Sequence, residues 1–214
     1  MVEEYLLRHP WLPTLAWVAL FSGDCYLTIM GARLRARAFP NATASFELSP
    51  EFRDEIDNLR LFGPVFIRWV LYGVVLLYLT GTALQRHVPD YASYLYAVVV
   101  GYMIFPFTAV YLRHLSVLRC YGNLPPDGSA GELMSSLSVH RCYRRSSAEL
   151  FYFALLTTLA FLLTDDPVLL GATISFIQDS LRHRLLARAY PPFVGDSDTV
   201  AGTSPAEPPD QLAA

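Results

Sequence analysis

The chain has 214 residues, 53% of them hydrophobic and only 16% charged, with a mean hydropathy of +0.33. A soluble domain carries roughly a quarter charged residues. Here the apolar residues gather in long runs, the pattern of membrane-spanning helices rather than of an oversized soluble core. The net charge of -3 gives no support for nucleic acid as a partner, which needs a concentrated basic face, and the length suits one compact bundle. All sixteen basic residues are Arg, which is read as the codon bias of a GC-rich genome rather than a demand for guanidinium.

The opening MVEEYLLRHPW places two Glu before its one Arg, the wrong charge for a signal-peptide n-region, and no small-x-small cleavage site follows. The first apolar run is therefore expected to be a span, about 11–32, broken only by Asp24. A second span is expected at about 61–84, with Arg68 near its start, and a third at about 91–112, which holds no charged residue. The fourth covers about 147–164. Asp165-Asp166-Pro167 then reads as a tight break, with Asp166 as N-cap and Pro167 in the first helical position. A fifth span, about 167–187, follows, although its uncharged part ends at Gln178. Each is close to the ~20 residues that cross a hydrocarbon core.

Arg placement orients these spans. Arg33, Arg35, Arg37, Arg53 and Arg60 fall in one loop, and Arg113, Arg119, Arg141, Arg144 and Arg145 in another. Arg182, Arg184 and Arg188 follow the fifth span, leaving Arg8 and Arg86 for the opposite side. Five spans with the N-terminus outside and the C-terminus inside put every basic cluster in the cytoplasm, whereas four would export three Arg.

Within the loops, Ser49-Pro50-Glu51 predicts a helix start. Phe52, Ile56 and Leu59 then form an apolar face opposite Glu51, Asp54, Glu55 and Asp57, predicting a short amphipathic helix at the cytoplasmic surface. Ser129 to Glu132 fits a capping box for another. Residues 191–214, rich in Pro, Asp, Ser, Thr and Ala, predict a disordered cytoplasmic tail. Cys25, Cys120 and Cys142 form neither a CxxC motif nor a disulfide framework and are expected as free thiols. The Asn41-Ala42-Thr43 sequon falls on the cytoplasmic side and is expected to be unused.

Ionisable groups inside the spans are the sharpest feature. Asp24 lies ~12 Å from the inner end of span one and Arg68 ~10 Å from that of span two, at 1.5 Å per residue. The two spans run antiparallel, so an intramembrane Asp24–Arg68 pair is expected. Asp24, Thr28 and Gly31 share one helical face, and Gly171, Ser175, Asp179 and Arg182 share another in span five. A charge at that depth needs a partner or a watery cavity. Asp24, Arg68 and Asp179 therefore read either as a structural lock on helix register, with Arg68 and Asp179 partly snorkelling, or as a proton or cation relay. Tyr102, in the middle of span three, needs a hydrogen-bond partner. His114, Cys120, His140 and Cys142 lack the tight ligand pairs of a zinc site. No metal and no cofactor is expected, and no HExxH, GxSxG or phosphate-cradling Gly loop points to an enzyme.

The stretch Gly23-Asp24-Cys25-Tyr26-Leu27-Thr28-Ile29-Met30-Gly31, then Phe46-Glu47-Leu48-Ser49-Pro50, then Gly63-Pro64 with Arg68 resembles small prokaryotic multi-pass membrane proteins of unknown function. Those carry D-x-x-x-T-x-x-G, E-x-N-P and a G-P with a basic residue opening the second span. The resemblance covers the first eighty or so residues and departs where Ser49 replaces Asn and where the loop is longer. It implies no activity, only that Asp24, Thr28, Glu47, Pro50 and Arg68 form one packed unit in a prokaryotic plasma membrane, with Glu47, Pro50, Gly63 and Pro64 as a packing motif.

The sequence thus predicts an all-α, five-span membrane bundle with short cytoplasmic amphipathic helices. Its expected role is a non-enzymatic accessory or scaffold subunit, partnered by the bilayer and by copies of itself or another membrane protein. The alternative is a small transporter or channel in which Asp24 titrates.

Overall fold

A computed structural model describes residues 2–38, 51–122 and 139–189. Glu47, Pro50, the helix start at Ser129 and the 191–214 tail lie outside the described residues. Those that are described form seven α-helices: α1 Val2–Arg8, α2 Trp11–Ala38, α3 Arg53–Asp57, α4 Pro64–His87, α5 Ala92–Gly122, α6 Val139–Thr164 and α7 Pro167–Ala189. A 3-10 turn, Pro89–Tyr91, joins α4 to α5.

Four stretches are long and apolar enough to cross a membrane, Trp11–Arg37, Pro64–His87, Pro89–Ser116 and Cys142–Thr164. Their outward faces agree with that role. Leu71, Tyr72, Val75 and Leu79 on α4, and Tyr152, Leu156, Leu159 and Leu163 on α6, are exposed in unbroken apolar stripes that a soluble monomer rarely carries. The chain therefore has the helix set of a membrane protein. Helix α7 is as long but less apolar, because Gln178, Asp179, Arg182, His183 and Arg184 interrupt it.

Side-chain pairs fix the directions of these helices. Phe21 stacks on Phe66 with ring centroids 5.2 Å apart, and a Cβ on Gly73 would strike the Trp17 ring, so α4 runs antiparallel to α2. Trp17 meets Phe107 at 4.6 Å and Gly23 faces the Tyr111 ring, so α5 runs parallel to α2. Gly101 of α5 abuts Val168 and Gly171 of α7 abuts Val98 and Tyr102. Further along, Phe105 and Ala109 pack on the cluster of Ala172 and Phe176, and Arg113 and His183 meet on Ser146, so α7 runs parallel to α5. The α6–α7 turn makes α6 antiparallel to both. Helices α2, α5 and α7 thus all end, and α4 and α6 all begin, at the end of the bundle that carries most of the Arg.

The main core is an aromatic and aliphatic cluster where α2, α4 and α5 meet, containing Trp17, Phe21, Phe66, Leu77, Tyr96, Val100 and Met103. Leu150, Ala154, Ala172 and Phe176 form a second cluster between α6 and α7, against which Phe105 and Ala109 of α5 pack. Helix α5 is the common wall. The α6–α7 turn forms as its sequence predicts: Asp165 takes a left-handed φ of 53° and Asp166 Oδ1 accepts from the Val168 N–H at 2.9 Å.

Two features differ from the sequence expectation. Helix α1 was not anticipated; its Leu7 is buried and its Leu7 carbonyl accepts from Gln85 Nε2 at 2.9 Å. Helix α3 covers only five residues, so Leu59 falls beyond it in a left-handed conformation (φ 53°) and is exposed rather than on the apolar face. The Arg60 N–H reaches back to the Glu55 carbonyl at 2.7 Å, closing the helix with the bond of a Schellman motif. Ile56 packs on Ile29 and Ala32 of α2. Glu55, expected on the acidic solvent face, is instead buried at 4% exposure.

Candidate functional site: a polar belt across four helices

Near the Arg-rich end, four helices contribute polar side chains to one level of the bundle. On α2, the Thr28 hydroxyl donates to the Asp24 carbonyl one turn back at 2.8 Å. The Nδ1 of His114 on α5 lies 2.9 Å from Asp24 Oδ1 and 3.1 Å from Thr28 Oγ1. Both side chains of the Asp24–His114 pair are mostly buried, at 19% and 17% exposure. A carboxylate so placed needs a compensating donor or charge; His114 is at ion-pair distance, yet Asp24 Oδ1 has no hydrogen-bond partner among the described residues.

The next residue of α5 continues the belt in the other direction. Arg113 donates to Ser146 Oγ of α6 at 2.7 Å, and His183 Nδ1 of α7 lies 2.9 Å from the same hydroxyl. Ser147 and Ser180 close it with reciprocal bonds: Ser147 Oγ donates to the Ser180 carbonyl at 2.9 Å and Ser180 Oγ to the Ser147 carbonyl at 2.8 Å. Small hydroxylated residues allow α6 and α7 to approach closely enough for this exchange. Among the described residues, no three metal-ligating side chains converge.

The structure brings only part of the expected cluster together. Asp24 and Thr28 are joined, but through His114, and the expected Asp24–Arg68 pair does not form. The Phe21–Phe66 stack sets Asp24 level with the start of α4, around Gly63, and Arg68 about a turn further from the Arg-rich end. Arg68 is exposed, and no described carboxylate pairs with it. Ser175 is buried and Asp179 half-buried, but both are on α7, which packs on α5 and α6 rather than on α2. Arg182, expected on one face with Asp179, also pairs with Glu51 at 3.6 Å. Tyr102 finds its partner in Gln178, donating to Oε1 at 2.7 Å.

Of the expected packing motif, Gly63 and Pro64 are described, whereas Glu47 and Pro50 lie outside the described residues. Gly63 is the N-cap residue of α4 and Pro64 its first residue. The carboxylate that meets them is Glu55: Oε1 accepts from the Val65 N–H at 2.6 Å and Oε2 from that of Phe66 at 3.2 Å. A carboxylate at a helix N-terminus satisfies free amides and complements the dipole.

His114, Arg113, Ser146, Ser147, Ser180 and His183 were not singled out from sequence as one site. The available signal was the hairpin turn at 165–166, which places the serines of α6 and the polar residues of α7 near one another. If Asp24 and His114 are coupled, Asp24→Asn and His114→Gln should each lower thermal stability in detergent, with a double-mutant coupling of about 1 kcal/mol. Asp24 and Arg68 substitutions should add to within about 0.5 kcal/mol; coupling of Asp24 to Arg68 instead would contradict the geometry.

No known protein family, curated protein or solved structure matches the chain.

Proposed function

We propose that the chain is a five-span integral membrane protein, N-terminus outside and C-terminus in the cytoplasm, acting as a non-enzymatic accessory or scaffold subunit whose polar belt locks helix register. The observation that carries this reading is the direction of the belt's bonds. Ser147 and Ser180 satisfy each other, and Ser146 is held between Arg113 and His183. Such bonds tie one helix to the next, as polar contacts in lipid do.

The fifth span is supported by α7 running parallel to α2 and α5, with Asp165-Asp166 at the Arg-poor end and Arg184 and Arg188 at the other. The belt then lies at the cytoplasmic interface, level with the start of α4, and the Arg residues beyond it face the cytoplasm. Purification of the full chain in mild detergent, followed by native mass determination, tests the role. A partner chain in fixed ratio, or a stable homo-oligomer, is the expected result; a clean monomer without any partner contradicts it.

A second reading has one observation of its own. The partner of Asp24 is His114 rather than Arg, and an imidazole can take up and release a proton where a guanidinium cannot. On that reading the protein is a small transporter in which Asp24 titrates. Asp24→Asn should then abolish pH-driven cation flux in liposomes while expression and folding persist; unchanged flux removes the reading.

A further inference from the structure

The outer face of α7 carries a shallow, open groove of about 730 Å³, bounded by that helix alone and lined chiefly by Ile174, Ile177, Gln178, Leu181, Arg182 and Leu185. From Ile174 to Leu185 the groove extends about 16 Å at 1.5 Å per residue, half of the ~30 Å hydrocarbon core. Its charged residue sits beside the belt, since Arg182 precedes His183, which bonds Ser146. The apolar residues Ile174 and Ile177 lie on the side away from the Arg-rich end. With the orientation proposed above, on which this inference rests, the apolar part spans the inner leaflet and Arg182 reaches headgroup depth.

The rim has both signs of charge. Arg182 pairs with Glu51 at 3.6 Å, and the two side chains remain 51% and 43% exposed. A long, exposed pair of this kind is weak, and the guanidinium has further N–H donors for an incoming phosphate. A purely anionic headgroup would meet Glu51 as a like charge. A headgroup bearing both a phosphate and a primary ammonium complements the pair: the phosphate accepts from Arg182 and the ammonium donates to Glu51.

We propose that this groove binds one zwitterionic, amine-bearing phospholipid of the phosphatidylethanolamine type. Its acyl chain lies along Ile174, Ile177 and Leu181, and its headgroup bridges Arg182 and Glu51.

Native mass spectrometry of the full chain, with dioleoyl phosphatidylethanolamine, phosphatidylcholine or phosphatidylglycerol added in turn, tests this. One phosphatidylethanolamine per chain should be retained at least fivefold over the other two. Glu51→Gln and Arg182→Gln should each reduce that retention about fivefold, and Ile177→Trp, which fills the groove, should remove it without changing the melting temperature. Equal retention of phosphatidylcholine, whose ammonium has no N–H, would overturn the headgroup assignment. So would preferential retention of phosphatidylglycerol, or a homodimer that Ile177→Trp dissociates. A separate arm labels Ile177→Cys, in a chain lacking the native cysteines, with an impermeant maleimide in closed vesicles. Labelling would reject the fifth span itself, whereas a shielded thiol without lipid preference rejects only the lipid site.

Discussion

Gly171→Leu is expected to lower the stability of the purified protein by about 3 kcal/mol or more, at the upper end of overpacking substitutions. A Cβ at Gly171 would run into the Val98 carbonyl and come within 2.7 Å of the Tyr102 amide nitrogen; at Gly101 it would meet the Val168 backbone. These obstacles are main-chain atoms and cannot rotate aside. The helices must separate, which loosens the Tyr102–Gln178 bond of 2.7 Å and the packing of Phe105 and Ala109 on the Ala172–Phe176 cluster. Even Gly101→Ala and Gly171→Ala should cost about 1–3 kcal/mol each. Together they should cost less than their sum, because one separation accommodates both. Gly81→Ala is the control: its nearest neighbour is a side chain, the Tyr96 ring at 3.1 Å, which need yield only a few tenths of an ångström, and Ala gains roughly 1 kcal/mol of helix propensity over Gly. Its net effect should be near zero by thermal unfolding in detergent. Equal losses at Gly81 and Gly171 would show that α5 and α7 do not touch backbone to backbone.

The second large effect is expected at Glu55. Glu55→Ala leaves the Val65 and Phe66 amides without their acceptor at the start of α4 and should cost about 2–4 kcal/mol. Glu55→Gln, which keeps one carbonyl acceptor but loses the charge, should cost roughly half as much. Gly63 gives the more discriminating test. Its backbone (φ -65°, ψ 170°) suits any residue, yet a Cβ there would collide with the Glu55 carboxylate. Gly63→Ala should therefore destabilise the native chain by about 1–3 kcal/mol and be nearly neutral in the Glu55→Ala background. A Gly63→Ala cost that persists without Glu55 would mean that the carboxylate is not what excludes a side chain.

The helical class and the long apolar helices were legible because hydrophobic run length is a strong signal, and the Asp166-Pro167 turn because its cap chemistry is local. The pairing of Asp24 was not. Depth was counted from the ends of apolar runs, but α2 continues to Ala38 and α4 begins only at Pro64, so the two helices are offset from their runs in opposite senses. Helix α5 likewise continues to Gly122, and His114 therefore read as a loop residue rather than as a group facing Asp24. Glu55 was hidden for another reason. Periodicity assigns a helix face, but α3 is too short for its pattern to determine burial, and the demand for an acceptor came from α4, a separate element. Helix α1, at seven residues, offers too little sequence for a period to emerge. Its fold depends on contacts with distant residues such as Gln85.

In the proposed topology α7 crosses the membrane with its Asp165-Asp166 end outside and its Arg188 end in the cytoplasm. Single cysteines at Asp165 and Arg188, in a chain lacking the native three, can be probed in intact cells with a membrane-impermeant maleimide. Asp165→Cys should label from outside and Arg188→Cys only after permeabilisation. Labelling of both positions from the same side of the intact membrane would contradict the fifth span and the topology built on it.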